Sequence, residues 1–140
     1  MAGSARIRWG RILLAIIAAE AVPILLLVLV VVVYSAIRPA GSQSPEAFAP
    51  QAGMWVGPIG GFLATLLFSW WAARRAQPRQ LVHGAAVGLG TAVLDFSLGV
   101  LLGGGGAIEP VFFFSNVGRI IAGLLGGWLA ARSSTRAAAA

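Results

Sequence analysis

The sequence has no cysteine and no lysine, a single histidine, a single tyrosine and only four acidic residues among 140. The lack of cysteine excludes disulfides, thiolate metal sites and thiol nucleophiles. The lone His83 has no second histidine or cysteine to complete a ligand set, so no metal is expected and the residue reads as interfacial. It also lies about 18 Å along a helix from Asp95, too far for a Ser-His-Asp arrangement. Gly103 to Gly106 follow no strand, which removes a phosphate-binding loop. Neither an enzyme activity nor a cofactor is expected.

Charge of both signs is scarce. Charged residues make up 10% of the chain and hydrophobic residues 59%, whereas a globular domain carries about 25% charged residues. One soluble core cannot hide that much apolar surface, so the excess faces lipid. A bilayer core of about 30 Å needs roughly 20 apolar residues of helix. Four stretches qualify, at 12–37, 54–73, 81–102 and 111–131. The first contains the aliphatic run Val28 to Val33, a strand former in water, but lipid requires every backbone group to be satisfied within its own segment and so selects helix. It is longer than a cleavable signal core, and Tyr34-Ser35-Ala36 puts a bulky residue where a cleavage site needs a small one, so it reads as a retained anchor. The fold class expected is an all-α bundle of four transmembrane helices, with residues 1–11 and 132–140 outside the membrane domain 12–131.

The formal charge of +6 comes entirely from arginine, and the positions of the arginines explain it. Arg6, Arg8, Arg11, Arg74, Arg75, Arg79, Arg132 and Arg136 flank one side of the four spans. The other side has Arg38 alone, with Glu46 and Glu109. The arginine-rich side is then cytoplasmic, with both termini there. No basic surface remains outside the spans for nucleic acid; the partner is the bilayer. Arginine without lysine, together with alanine-rich flanks, points to a high-GC bacterial gene and hence to the cytoplasmic (inner) membrane. The stretch from Arg38 to Gly53 reads as an external loop, Gly103 to Gly106 with Glu109 as a second external turn, and Ser133 to Ala140 as a frayed tail.

A shift of 58 residues aligns Gly60 to Arg74 with Gly118 to Arg132, with eight of fifteen positions identical. Both segments end in a Trp, then an Arg, as interfacial anchoring requires. The alignment is compatible with two parallel helical-hairpin repeats, which would place Glu20 and Asp95 across a pseudo-twofold centre; convergent anchoring would give the same pattern. Small residues recur at four-residue spacing in Gly53, Gly57 and Gly61, in Gly84 and Gly88, in Gly99 and Gly103, and in Gly123 and Gly127. Such stripes let helix backbones approach closely in lipid, either within the bundle or in a homo-oligomer or larger membrane complex.

Glu20, Asp95 and Arg119 fall inside spans, where a charge costs about 2.5–3.5 kcal/mol on insertion scales. Counting helix rise from the arginine-rich edge puts Glu20 about 12 Å deep, Asp95 about 21 Å and Arg119 about 18 Å. These depths favour an Asp95–Arg119 pair, supported by Asn116 and Ser97, although the long Arg119 side chain could instead bend toward Glu20. The leftover acid, Glu20 on this count, is a candidate proton or cation site, and Asp95 is the other. Pro23 frees the Ala19 carbonyl and is expected to bend the first helix beside Glu20.

Glu20 is flanked by alanines early in the first of four helices, and in this it resembles the acid of the small multidrug-resistance transporters, which exchange protons for cationic drugs. The likeness implies a proton-coupled role for Glu20. It does not extend beyond that neighbourhood, for the third helix lacks the family's aromatic and glycine pattern and a buried Arg119 would oppose cationic substrates. Two functions follow from the sequence. The first is a non-enzymatic accessory subunit or homo-oligomeric scaffold acting through helix contacts. The second is a small proton-coupled transporter or channel using a buried carboxylate.

Overall fold

The computed structural model describes residues 7–103 and 110–138. Four helices occupy nearly all of them: α1 at Trp9–Ile37, α2 at Pro45–Ala73, α3 at Gln80–Gly103 and α4 at Pro110–Ala138. Each is long and apolar enough to cross a membrane, and no strand occurs among the described residues. The protein is an all-α bundle of four transmembrane helices.

Two segments expected to be irregular are helical. Most of the stretch from Arg38 to Gly53 belongs to α2. Ser44 caps the helix, its Oγ accepting from the Ala47 N–H at 3.4 Å, Pro45 takes the first turn, and Glu46 lies near the positive end of the helix dipole. Likewise α4 continues through the expected tail to Ala138, and Ser133 and Ser134 both donate to the Ala130 carbonyl. Of the second external turn, residues 104–109, including Glu109, lie outside the described residues, as does Arg6 at the N-terminus.

The interior inverts the pattern of a soluble protein. Ala15, Ala19, Ala72, Ala73, Ala122 and Ala130 are fully buried, together with Thr65, Ser69, Thr91 and His83, and Arg119 is nearly so, while Leu101 and Leu102 are about four-fifths exposed. Large aliphatic side chains gain nothing by leaving lipid for one another, so small and polar residues take the centre. α1 runs unbroken through Pro23, which is buried against Gly60 of α2.

α1 packs on α2, α2 on α4, and α4 on α3, while α3 closes the ring more loosely on α1. α2 and α3 also approach each other across the short diagonal. On the long diagonal no Cα of α1 comes within 8 Å of one of α4 among the described residues. A twofold exchange of the two hairpins would make these diagonals equivalent, and they are not.

The glycine stripes meet partners inside the bundle. A Cβ on Gly123 would lie 2.6 Å from the Gly84 carbonyl oxygen and from the Gly88 Cα, and one on Gly127 would lie 2.8 Å from the Gln80 carbonyl oxygen, so α3 and α4 touch backbone to backbone. Gly99 seats the Phe112 ring, Gly53 meets Leu27, and Gly57 opens onto empty space. Gly103 closes α3.

Candidate functional site

Arg119 stands on α4, at the far end of the long diagonal from α1, and its side chain crosses the bundle. Its guanidinium passes over Gly61 of α2, where a Cβ would sit 2.8 Å from Cζ. Gly88 of α3 lies against the Arg119 carbonyl oxygen on the opposite side, where a Cβ would be 2.9 Å away. Gly61 leaves the corridor that a long side chain needs, while Gly88 lets α3 approach the α4 backbone.

At the end of that corridor the guanidinium divides. Nη1 donates to Glu20 Oε2 at 2.6 Å and Nη2 to Asp95 Oδ1 at 3.1 Å. Asn116, one turn before Arg119, donates from Nδ2 to Asp95 Oδ2 at 3.0 Å and to the Phe112 carbonyl at 3.0 Å. Side-chain exposure is 3% for Arg119, 7% for Glu20 and 17% for Asp95. Arg119 Nε and Asn116 Oδ1 are buried with no hydrogen-bond partner among the described residues.

The structure thus brings Glu20, Asp95, Arg119 and Asn116 together, and no acid is left over. Depth along the helices ranked Asp95 ahead of Glu20, but the two Nη groups of one guanidinium point to different acceptors and reach both. Ser97 is absent from the network: its hydroxyl is exposed and donates to the Val93 carbonyl of its own helix. Gly61, read from its spacing as a packing residue, is the clearance for Arg119. No feature of the spacing separates those two roles.

Two small cavities border the cluster. One of about 210 Å³ is lined by Gly53, Gly57, Pro58, Phe112, Asp95 and Arg119, among others. The second, about 100 Å³, shares Gly57, Asp95 and Arg119 with it and adds Glu20 and Pro23. Both lie toward the arginine-poor end, where α2 and α4 begin. Asp95, the most exposed of the three charges, faces them. Two carboxylates on one guanidinium sum to −1, and a low-dielectric interior favours neutrality. The cavities reach the acids.

The opposite end is clamped. His83, near the start of α3, is fully buried, because the start of α1 folds over the start of α3. Its Nε2 accepts from the Arg8 backbone N–H at 3.1 Å, and Nδ1 lies 3.0 Å from the Arg79 carbonyl, which assigns the neutral tautomer with its proton on Nδ1. Arg11 donates to the Trp71 carbonyl at 2.6 Å and lies over the Trp71 ring. Gln80 donates to Ser134 at 2.8 Å, joining α3 to the end of α4.

No known protein family matches the chain, and no curated protein or solved structure is significantly similar to it.

Proposed function

We propose that the protein is a small proton-coupled transporter or channel that uses the buried carboxylates of Glu20 and Asp95, which Arg119 holds together. One observation carries this reading: two buried acids share a single guanidinium beside cavities that reach Asp95 from the arginine-poor end. A cluster built only to fix helix register would be served by one acid. The glycine stripes, whose spacing is open to packing within the bundle or to an oligomer interface, mostly have partners within the chain and lend the scaffold alternative less support. The arginine asymmetry supports both termini on the cytoplasmic side, and arginine without lysine supports a bacterial cytoplasmic membrane.

The test is proton flux into proteoliposomes under an imposed gradient, read with an entrapped pH dye. Wild-type flux that Glu20→Gln and Asp95→Asn each abolish is the expected outcome. A wild type without flux, or flux retained in both variants, overturns the proposal.

The second reading, an accessory subunit of a larger complex, is favoured by the outer part of α1: from Ile24 to Ile37 no residue is buried. Mass determination of the intact particle from native membranes separates the two. A stoichiometric foreign chain would support the subunit role, and its absence would sink it.

A further inference from the structure

The corner where α1 enters the bundle gathers arginines from three segments of the chain, and hydrogen bonds fix it. Arg11 Nη2 donates to the Trp71 carbonyl, in the last turn of α2, at 2.6 Å. The Arg8 backbone N–H donates to His83 Nε2 at 3.1 Å, and His83 Nδ1 lies 3.0 Å from the Arg79 carbonyl. The first turn of α1 is therefore wedged between the end of α2, which Arg74 and Arg75 follow, and the start of α3, which Arg79 precedes. The charges of Arg75, Arg8 and Arg74 all bear on the Arg11 guanidinium, which lies over the Trp71 ring.

No acid among the described residues answers this charge. Glu20 and Asp95 are held by Arg119, and Glu46 opens α2 at its opposite end. The side chains of Arg8 and Arg75 are exposed and make no hydrogen bond or ion pair with the described residues. Like charges held together repel, and an anion seated among them turns that repulsion into attraction. The depth narrows the choice of anion. α1 rises about 42 Å over its 29 residues, more than a hydrocarbon core of about 30 Å, so its ends stand among the head groups. Guanidinium groups meet phosphate oxygens there with paired N–H donors.

We propose that this corner binds one anionic phosphate group beside the Arg11 guanidinium, with Arg8 and Arg75 as its principal donors. A phospholipid head group and a free phosphate ion present the same oxygens to these donors. The site is separate from the charge cluster and does not depend on the transport reading.

The purified full-length protein, stripped of lipid in mild detergent, is titrated with phosphatidylglycerol or phosphatidylcholine, and bound lipid is counted by native mass spectrometry. In parallel, inorganic phosphate replaces chloride at constant ionic strength and thermal unfolding is followed. A guanidinium near an anionic head group is worth about fivefold in affinity, hence about thirtyfold for two. One phosphatidylglycerol per chain should be retained where phosphatidylcholine is not, and Arg8→Gln with Arg75→Gln should weaken that binding about thirtyfold. The Arg8 contact to His83 runs through the backbone, so the double variant should unfold at the wild-type temperature. If it does not, Arg75→Gln alone, outside α2, should weaken binding about fivefold. Selective retention of phosphatidylglycerol assigns the site to a lipid. Stabilisation by inorganic phosphate alone, lost in the variant, assigns it to a soluble phosphate; either result supports the proposal. Several equivalent phosphatidylglycerol molecules per chain would mean diffuse attraction to a basic face and overturn it. So would no response to either probe, or binding that survives the substitutions.

Discussion

Replacing Arg119 by Met should damage the fold far more than replacing either acid. The substitution keeps an unbranched apolar stem in the corridor over Gly61 but removes every donor that Glu20 and Asp95 share. Breaking a buried ion pair from one side costs about 3–5 kcal/mol, because the partner charge remains buried and unmatched. Here two acids lose their partner at once, so the upper part of that range is expected, a shift of several hundredfold to several thousandfold in the folding equilibrium at about 1.4 kcal/mol per tenfold. Glu20→Gln works in the opposite direction. It leaves one guanidinium with one carboxylate, an internally neutral pair, and the amide oxygen still accepts from Nη1. Its cost should stay within about 1 kcal/mol, the worth of one typical hydrogen bond. The triple substitution Glu20→Gln, Asp95→Asn, Arg119→Met should recover much of the single loss, since no buried charge remains. Equilibrium unfolding in mixed micelles, followed by circular dichroism, measures all four proteins. If Arg119→Met and Glu20→Gln destabilise equally, the acids do not depend on a shared cation and the charge balance drawn above is wrong.

Two other outcomes follow from the packing and the arginine pattern. Gly123→Val should separate α3 from α4, since even a Cβ at that position meets the Gly84 carbonyl at 2.6 Å, whereas Gly57→Ala, with nothing within 4 Å, should leave stability nearly unchanged; comparable thermal unfolding of the two variants would contradict the seam. The absence of native cysteine allows single cysteines at Ser42 and Ser134 to report orientation cleanly. A membrane-impermeant maleimide applied to intact cells should label position 42 and spare position 134, and the reverse pattern would invert the topology.

The membrane fold was legible because lipid leaves the backbone few choices: long apolar stretches close as helices whatever their β-branched content, as Val28 to Val33 do in α1. The extra turns of α2 were harder to see, because Pro45 to Gly53 is polar and proline-bearing and resembles a loop by composition. Its start was nonetheless written in Ser44, Pro45 and Glu46, a cap, a first-turn proline and a first-turn acid. The members of the charge cluster were legible one by one from the cost of burying them. Their connectivity was not, because it depends on the order of helices around the bundle, and rise per residue measures only depth. That order places α2 and α3 between Arg119 and Glu20 and turns Gly61 into the wall of a passage. The burial of His83 was not legible for a similar reason: its surroundings come from α1, which begins 74 residues earlier at Trp9.

The span between Glu20 and Arg119, 99 residues apart in the chain, also sets an order of events at the ribosome. Synthesis at about 5–20 residues per second puts on the order of 5–20 seconds between the emergence of Glu20 and that of the guanidinium it will bind. Through that interval α1, with the highest hydropathy of the four helices, holds its acid in place by the weight of its Ile, Leu and Val residues, each worth about 0.3–0.6 kcal/mol toward insertion. Asp95 waits for only the last 24 residues. α4 is therefore the keystone of the cluster's biogenesis: a nascent chain halted before it holds two buried acids without the guanidinium they share, and its arrival closes the network.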